Sequence, residues 1–298
     1  MNQTMNLIEN NLWHTQCPAC GNQFIRELGK QSLKKLELYS SSAIVQSQRP
    51  EIWICLSCKS LFKQNSVNEA DSVMLYSGSN AISRWSGDAA ETGKTFLNKK
   101  TATVRKCLED MLLKSQNVLD IGCNDGSFLD DARSFGLKTS GVEYSREARS
   151  FCSAKDHKVF SALDEVDSSF DLITAFDLVE HLYDISIFLT KCKDLLAPGG
   201  RIVIVTGDPE CLMARVARQN WWYASFPEHV VFPSLRYFSM VDGLFLEDYL
   251  RVRHLHQGFK FPIRLVRALM SIGYTRKFNG LSGLWPDHNV VVLSLIAR

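Results

Sequence analysis

One short stretch, Asn117-Val-Leu-Asp-Ile-Gly-Cys-Asn-Asp-Gly-Ser-Phe-Leu, constrains the fold of this chain more than any other. Its apolar start predicts a strand from Val118 to Ile121, and the glycine-containing turn that follows leads into a helix beginning near Ser127. Gly122 lets the backbone turn and lets a ligand approach it, while Gly126 permits close packing of the helix on the strand. The stretch therefore predicts the start of a βαβ unit.

The charges in this unit indicate what kind of ligand it binds. The turn lacks the G-x-G-x-x-G pattern, and Asp120 and Asp125 would repel a pyrophosphate but suit a cationic amino group. The next predicted strand, residues 139–144, carries Glu143 at its end, where an acid accepts hydrogen bonds from a ribose diol. Taken alone, the glycine turn could be an ordinary strand–helix turn, and Glu143 could be a surface residue. The spacing between the turn and Glu143 within one βαβ unit favours a nucleoside ligand without phosphate.

Two Cys-x-x-Cys pairs near the N-terminus predict a metal site: Cys17-Pro-Ala-Cys20 and Cys55-Leu-Ser-Cys58. Each pair presents two thiolates, and the two together complete a tetrahedral site for Zn²⁺ with no open position, so the zinc is expected to be structural. The strand-like segments 36–39 and 51–54 are predicted to form a hairpin beneath the metal. A redox dithiol is the alternative, although it normally uses one pair beside a βαβ unit.

Composition excludes several classes of protein. With 34 basic and 32 acidic residues the net charge is +2, which predicts no general polyanion-binding surface. No apolar stretch approaches the roughly 18 residues of a membrane-spanning helix. The nine cysteines are odd in number and the N-terminus lacks the features of a signal peptide, so we expect no disulfide framework and a cytoplasmic protein.

A family resemblance rests on four segments in order. Asp120-Ile-Gly-Cys-Asn-Asp-Gly followed by Glu143 resembles motifs I and II of the class I S-adenosylmethionine-dependent methyltransferases. Segment 170–182 resembles their fourth strand and its loop, and segment 195–204 resembles the turn before their fifth strand. Trp221-Trp-Tyr, Pro227-Glu-His and Tyr237-Phe-Ser resemble bacterial members that carry a similar N-terminal ribbon and commonly act on sugars, glycans or other small secondary metabolites.

The resemblance implies an α/β fold: a Rossmann-like, seven-stranded methyltransferase sheet with helices on both faces, plus a small N-terminal zinc-ribbon domain. The expected divisions are the ribbon over residues 1–66, a helical linker or cap over the cofactor at 67–114, and the methyltransferase domain at 115–298. A lid insertion is expected at about 207–232. Tyr76 and Trp85 of the linker are candidates to reach the cofactor, although simple helix packing is the favoured interpretation.

The resemblance also implies which residues bind S-adenosylmethionine. The methionine portion is expected at the first turn, the ribose and adenine at the ends of the second and third strands, and the sulfonium at the end of the fourth strand. In that order, the implied residues are Asp120, Gly122, Cys123 and Gly126, then Glu143, Tyr144 and Ala162, then Phe176 and Asp177.

Histidine suits a general base near neutral pH. His181 follows the fourth predicted strand and His229 lies in the lid insertion, so both are candidate catalytic residues. Packing or hydrogen bonding is the alternative role for His181. Asp177, Glu180 and His181 form an alternative site for a divalent cation.

We therefore expect S-adenosylmethionine-dependent methyl transfer to a small-molecule or glycan acceptor, with oxygen as the expected acceptor atom. One alternative is a methyltransferase for ribosomal RNA or another nucleic acid, which the near-neutral charge disfavours. Another is a non-catalytic module that binds the cofactor and docks a partner. The sequence indicates neither the acceptor nor the oligomeric state.

Overall fold

The N-terminal part of the chain forms a small antiparallel sheet. In the computed structural model, residues 13–31, 50–69, 95–100, 102–252, 275–276 and 286–296 are described. Within them, β1 (Ile25–Lys30) pairs with β2 (Glu51–Cys55), and β2 pairs with β3 (Leu61–Gln64). The predicted strand segment 51–54 lies in β2, whereas segment 36–39 lies outside the described residues.

The larger part of the chain alternates strands and helices. The remaining strands are β4 (Asn117–Ile121), β5 (Lys138–Val142), β6 (Lys158–Phe160), β7 (Phe170–Phe176), β8 (Leu196–Gly207), β9 (Val231–Phe232), β10 (Leu244–Val252), β11 (Thr275–Arg276) and β12 (His288–Leu295). The helices are α1 (Phe96–Lys99), α2 (Ala102–Leu112), α3 (Ser127–Ser134), α4 (Arg146–Ser153), α5 (Ile185–Asp194), α6 (Leu212–Ala217) and α7 (Leu235–Phe238). Short 3₁₀ turns span Leu163–Glu165, Val179–His181, Arg218–Asn220 and Tyr223–Ser225.

One mixed sheet organises this part, in the order β11-β10-β12-β8-β7-β4-β5-β6. Strands β6, β5, β4, β7 and β8 are parallel, while β12 runs antiparallel beside β8 and β10 antiparallel beside β12. The predicted Rossmann-like methyltransferase sheet is thus confirmed, and the two-residue β11 adds an eighth strand at its edge. The chain leaves β4 toward β5 and returns on the other side at β7, which opens a crevice at the carboxyl ends of β4 and β7.

Burial explains why these segments form strands. Val118, Leu119, Ile173 and Ile202 have no exposed side-chain surface, because central parallel strands are covered on both faces. Apolar runs in β4, β7 and β8 satisfy that requirement without the alternation of a half-exposed strand.

The small sheet is not an isolated module. Its strand β3 pairs antiparallel with β9 of the insertion after β8, so β1, β2, β3 and β9 make one four-stranded sheet. The ribbon and the insertion also share an apolar core, in which Ile52 and Leu61 pack with Trp221 and Phe232. The division at residue 66 stays a prediction, and Tyr76 and Trp85 lie outside the described residues. None of the described helices is both long and apolar enough to cross a membrane.

Candidate cofactor and acceptor site

The turn after β4 requires glycine at two positions. Gly122 has φ 78° and Gly126 has φ 76°, a left-handed conformation that side chains rarely adopt. A Cβ atom at Gly126 would lie 2.7 Å from Sγ of Cys152, so this glycine allows α4 to pack against the turn, whereas the sequence predicted a role in packing α3 on β4. The turn is held to the next strand because the Gly122 amide donates to the carbonyl of Val142 (2.8 Å).

Asp120 lies at the end of β4 and is buried beneath this turn. The hydroxyl of Thr174 donates to its Oδ1 (2.7 Å). Burial raises the pKa of Asp120 to about 7, and the negative charge of Glu143 acts in the same direction. A buried carboxylate with so high a pKa favours a cationic ligand, which would stabilise its charged form.

Two other residues of the turn point elsewhere. Oδ1 of Asp125 accepts hydrogen bonds from the amide (3.0 Å) and the hydroxyl of Ser127, the first residue of α3. The Cys123 thiol is buried 3.7 Å from the Cys152 thiol and against Gly141. The structure thus leaves Asp120 as the acid of this turn for a cationic group and directs the Cys123 side chain into the core.

Glu143 joins the ends of β4 and β5. Its Oε2 accepts from the amide of Asn124 (3.0 Å) and its Oε1 from the amide of Ser145 (2.7 Å). A carboxylate offers about four acceptor positions, so two amide bonds leave capacity for the two hydroxyls of a ribose. The half-buried side chain is fixed in orientation before any ligand binds.

Tyr144 and Ala162 border this acid. The Tyr144 ring is 65% exposed, and the Arg149 guanidinium fixes its backbone by donating to the Tyr144 carbonyl (2.6 Å). Ala162 is exposed at the start of the 3₁₀ turn after β6, and the preceding Ser161 amide donates to Glu165 (2.9 Å). Both residues lie on the β5–β6 side of the crevice, where the resemblance implies the adenine.

An aromatic cluster lies at the end of β7. The rings of Phe96, Phe128 and Phe176 are 4.9 to 5.4 Å apart, and the Lys100 ammonium lies 4.4 Å from the centre of the Phe96 ring. Asp177 follows with φ 48°, and its amide donates to the carbonyl of Val205 (2.8 Å). Our sequence interpretation missed Phe96 and Lys100, because they lie outside the motifs.

On the acceptor side, a buried acid lies beneath the insertion. Glu180 accepts from the hydroxyl of Thr206 (2.8 Å) at Oε2 and from the phenol of Tyr223 at Oε1. Burial raises the pKa of Glu180 to about 8, and the nearby charge of Asp177 adds to the shift. A Cβ at Gly207 would lie 2.3 Å from the Tyr223 ring, so this glycine is needed to seat the phenol.

The two candidate catalytic histidines meet above this acid. The ring centres of His181 and His229 are 4.7 Å apart, edge to face. Nδ1 of His181 lies 3.1 Å from the carbonyl of Glu228, and Nδ1 of His229 lies 2.9 Å from the carbonyl of Tyr223. A carbonyl only accepts, so Nδ1 of each ring donates to its carbonyl, and in the neutral His229 ring Nε2 presents a lone pair.

Burial keeps both rings neutral. It lowers the pKa of His181 to about 4 and that of His229 well below the ordinary value. Possible metal-ligating atoms of Glu180, His181 and His229 lie within 4.8 Å of one another. Among the described residues, this group of potential cation ligands contains His229 in place of the predicted Asp177.

A lysine from the ribbon supports the same loop. Lys63 of β3 is fully buried, and its ammonium donates to the carbonyl of Phe226 (2.5 Å). The backbone amide of Lys63 donates to the carbonyl of Val230 (2.9 Å). The backbone amide of Val230 donates in turn to the carbonyl of Glu180 (2.8 Å). Burial lowers the pKa of Lys63 to about 7. The loop that carries His229 is thus held between the ribbon and the end of β7, a contact that the sequence does not signal.

The four paired cysteines converge at the other end of the ribbon. The Sγ atoms of Cys17 and Cys58 are 3.7 Å apart and those of Cys20 and Cys55 are 3.6 Å apart, with all four within 4.8 Å of one another. Tetrahedral zinc with zinc–sulfur bonds of about 2.3 Å requires sulfur–sulfur distances of about 3.8 Å. The quartet therefore fits a structural zinc ion, as the spacing of the pairs predicts.

A mixed sheet of this order, with acids at the ends of β4 and β5, is typical of the class of Rossmann-like methyltransferases. Residues 94–240 match the profile of a family described as a methyltransferase domain. The chain thus carries a methyltransferase domain over residues 94–240.

Curated relatives agree with this assignment over part of their length. The ubiquinone biosynthesis O-methyltransferase of Bradyrhizobium diazoefficiens is 32% identical over 98 residues, which are 30% of this chain and 39% of that protein. The protein of the same name from Rhodopseudomonas palustris is 30% identical over 119 residues, 36% of this chain and 44% of that protein. The chain spans about two fifths of the length of these relatives.

Solved methyltransferase structures are similar at low sequence identity. A SAM-dependent methyltransferase from Thermotoga maritima aligns with a TM-score of 0.45 and 17% identity, over 63% of this chain and 85% of that one. A plantazolicin methyltransferase aligns with a TM-score of 0.49 and 14% identity, over 75% and 93%.

Proposed function

We propose that this protein transfers a methyl group from S-adenosylmethionine to an oxygen of a small-molecule or glycan acceptor. One observation carries the cofactor assignment: two acids, Asp120 and Glu143, end the neighbouring strands β4 and β5 beside a glycine turn. Asp120 suits the amino group of the methionine portion, and Glu143 suits the ribose hydroxyls. The bound cofactor supplies an activated methyl group on a sulfonium.

The residues of this chain fit that ligand. Gly122 and Gly126 leave the turn without side chains, and Tyr144 offers an exposed ring for the adenine. Phe176 and Asp177 stand at the sulfonium end, where an aromatic face and a carboxylate both favour a cation. The side-chain roles of Cys123 and Ala162 are smaller, because the first points inward and the second carries only a methyl group.

Two features support an oxygen acceptor of modest size. The relatives from Bradyrhizobium and Rhodopseudomonas carry the name O-methyltransferase. A hydroxyl acceptor must lose a proton, and a neutral histidine of the insertion, His229, lies against the neutral His181 of the turn after β7. A nucleic-acid acceptor is less favoured because the net charge of +2 gives little affinity for phosphates.

In this proposal His229 accepts the acceptor's proton at Nε2. Its Nδ1–H bond to the Tyr223 carbonyl fixes the ring and the tautomer. The negative charge of Asp177 favours the protonated ring once it forms, and the buried insertion around Trp221 excludes water. His181 then orients His229 through the ring contact.

The zinc ion has a structural role in the same proposal. The four thiolates leave no open position, so the metal does not touch substrate. It stabilises a ribbon whose strand β3 carries Lys63 to the catalytic loop.

The cytosolic location stays a prediction.

Calorimetry with S-adenosylhomocysteine tests the cofactor assignment. The wild-type chain is expected to bind one equivalent, and Glu143→Ala to weaken binding by about 10- to 100-fold, because bonds from hydroxyls to a charged acceptor are lost. Glu147→Ala is the matched control, since Glu147 is an exposed acid on the first turn of α4. Melting curves exclude unfolding of the variants. Absence of binding to the wild-type chain would overturn the cofactor assignment.

The affinity for S-adenosylhomocysteine is expected to rise with pH. Below pH 7 Asp120 is mostly protonated and neutral, whereas above it the charged carboxylate attracts the ligand's ammonium. From the fraction ionised, the association constant should increase about tenfold between pH 6 and pH 8. Asp120→Asn should bind more weakly and show no such increase. If both proteins follow the same pH profile, Asp120 does not contact the ligand's charge.

Transfer of tritium from methyl-labelled cofactor into fractionated cell extract identifies the acceptor. The proposal predicts label in the small-molecule or glycan fraction, stable to mild base if it is an ether. Tritium found in RNA would instead favour the nucleic-acid alternative, if that RNA binds the protein and is released by salt.

A further inference from the structure

Tyr237 of α7 carries a buried phenol that has no role in the proposed methyl transfer. Only 3% of the residue is exposed, and within the described part of the chain no hydrogen-bond partner reaches its hydroxyl oxygen. A buried hydroxyl without a partner destabilises the folded state, so nearly all such groups are paired in proteins. This phenol therefore requires an acceptor in its immediate surroundings.

The backbone of Tyr237 is attached to the cysteine quartet. Its amide donates to Oγ of Ser234 (3.0 Å), and the hydroxyl of Ser234 donates to the carbonyl of Cys58. The Tyr237 side chain also packs in the apolar core that contains the Cys58 side chain. Two successive hydrogen bonds thus fix a residue of the methyltransferase domain beside one of the proposed zinc ligands.

Most of the negative charge around this phenol comes from the quartet. Burial raises the pKa of Tyr237, so the phenol keeps its proton and is a hydrogen-bond donor. The negative charges that add to this shift are, in order of their effect, those of Cys58, Asp184, Cys17 and Cys20. Oδ1 of Asp184 already accepts from an amide of α5 (2.9 Å), because it caps that helix. The thiolates are thus the acceptors that the surroundings of the phenol favour.

Thiolates that bind zinc need hydrogen-bond donors around them. A cysteine sulfur that binds Zn²⁺ has lost its proton and only accepts, and four thiolates carry more charge than one Zn²⁺ neutralises. The amide of Cys58 lies 3.5 Å from Sγ of Cys55. Oγ of Ser60 lies 3.2 Å from Sγ of Cys58 and accepts from the Ser234 amide, so its own proton is directed to the sulfur of a deprotonated Cys58. A further donor beside Cys58 would stabilise the same charge.

We propose that Tyr237 donates a hydrogen bond to the thiolate of Cys58 when the quartet holds its metal. The inference rests on the proposed zinc site, because it presupposes that the four cysteines bind the ion as thiolates. Tyr237 is a positioning residue, which acts on the metal through the sulfur and does not touch the ion. The methyltransferase domain thereby contributes to the affinity of a metal site whose four ligands all belong to the ribbon.

Replacing Tyr237 with phenylalanine tests this proposal, because it removes the hydroxyl and keeps the ring. The affinity of the full chain for Zn²⁺, measured by competition with a chromophoric chelator, should fall by about 10- to 100-fold, the usual effect of losing a partner of a metal ligand. With Co²⁺ in the quartet, the sulfur-to-metal charge-transfer band should move to longer wavelength, because a thiolate without the hydrogen bond gives up its electron more easily. A role of the phenol in packing alone would not move this band.

Tyr183→Phe is the matched control, because the Tyr183 hydroxyl donates to the carbonyl of Val67 (2.7 Å), an acceptor outside the quartet. It should leave the zinc affinity and the cobalt spectrum unchanged. A Tyr237→Phe variant with the wild-type cobalt band, whether or not it melts at a lower temperature, would overturn the role of the phenol and leave the zinc site standing. A wild-type chain that binds neither Zn²⁺ nor Co²⁺ through its cysteines would instead overturn the zinc site and this inference together.

Discussion

Replacing Cys58 with serine is expected to unfold the insertion that carries His229, as well as the ribbon. Cys58 is fully buried, and its carbonyl accepts from the Ser234 hydroxyl. The Ser60 hydroxyl accepts from the Ser234 amide (3.2 Å), and β3 pairs with β9 directly before it. Loss of the metal at Cys58 is therefore expected to destabilise Ser234 and β9, which are far from Cys58 in sequence.

The expected loss of stability is large. A structural zinc site supplies folding free energy directly, because the unfolded ribbon holds no preformed site. Removing a ligand should lower the free energy of unfolding by about 4 kcal/mol or more, and the zinc content should fall from about one ion per chain. The measurements are metal analysis, thermal melting and hydrogen exchange of peptides covering residues 226–238.

Cys192→Ser is the matched control, since Cys192 is equally buried but lies in α5 outside the thiolate quartet. It should retain zinc and leave exchange at 226–238 unchanged. In Cys58→Ser the exchange there should rise at least about tenfold, while the parallel strands β4 and β5 stay protected. Unchanged protection at 226–238 after zinc loss would show that the ribbon does not support the insertion.

The features that the sequence predicts are those that depend on residues close together in the chain. The β4 turn needs glycine within a few residues of a strand, and Glu143 lies one helix later in the same βαβ unit. The cysteine spacing likewise predicts the quartet, because four-sulfur coordination restricts its ligands strongly. Each of these signals is contained in one short segment or in two segments with the same cysteine spacing.

Contacts between distant segments carry no such signal. The pairing of β3 with β9 joins residues separated by about 170 positions, and the pair is two residues long. The sequence suggests that Lys63 is an ordinary polar residue of a ribbon strand, yet it is buried against the loop that carries His229. The sequence suggests Asp125 as a ligand-binding acid, but its Oδ1 accepts hydrogen bonds from Ser127, the first residue of α3. Such residues acquire their roles from tertiary packing.

Substitution of His229 by asparagine is expected to lower kcat by about 10²- to 10⁴-fold, the usual contribution of a general base. Asparagine can still donate to the Tyr223 carbonyl through its amide, so the loop keeps its bond while the basic Nε2 is lost. The affinity for S-adenosylhomocysteine should not change, because His229 lies on the acceptor side. The assay uses the acceptor found by label transfer.

His181→Asn is the matched comparison, because it keeps a donor to the Glu228 carbonyl and removes the imidazole. A small effect there beside a large effect at His229 assigns the proton to His229. The opposite pattern would assign it to His181, and full activity of both variants would show that the acceptor needs no histidine base. If a chelator abolishes turnover of the wild-type chain without releasing the ribbon zinc, then Glu180, His181 and His229 act through a cation instead. The activities of the two histidine variants therefore show whether a histidine removes the proton of the acceptor.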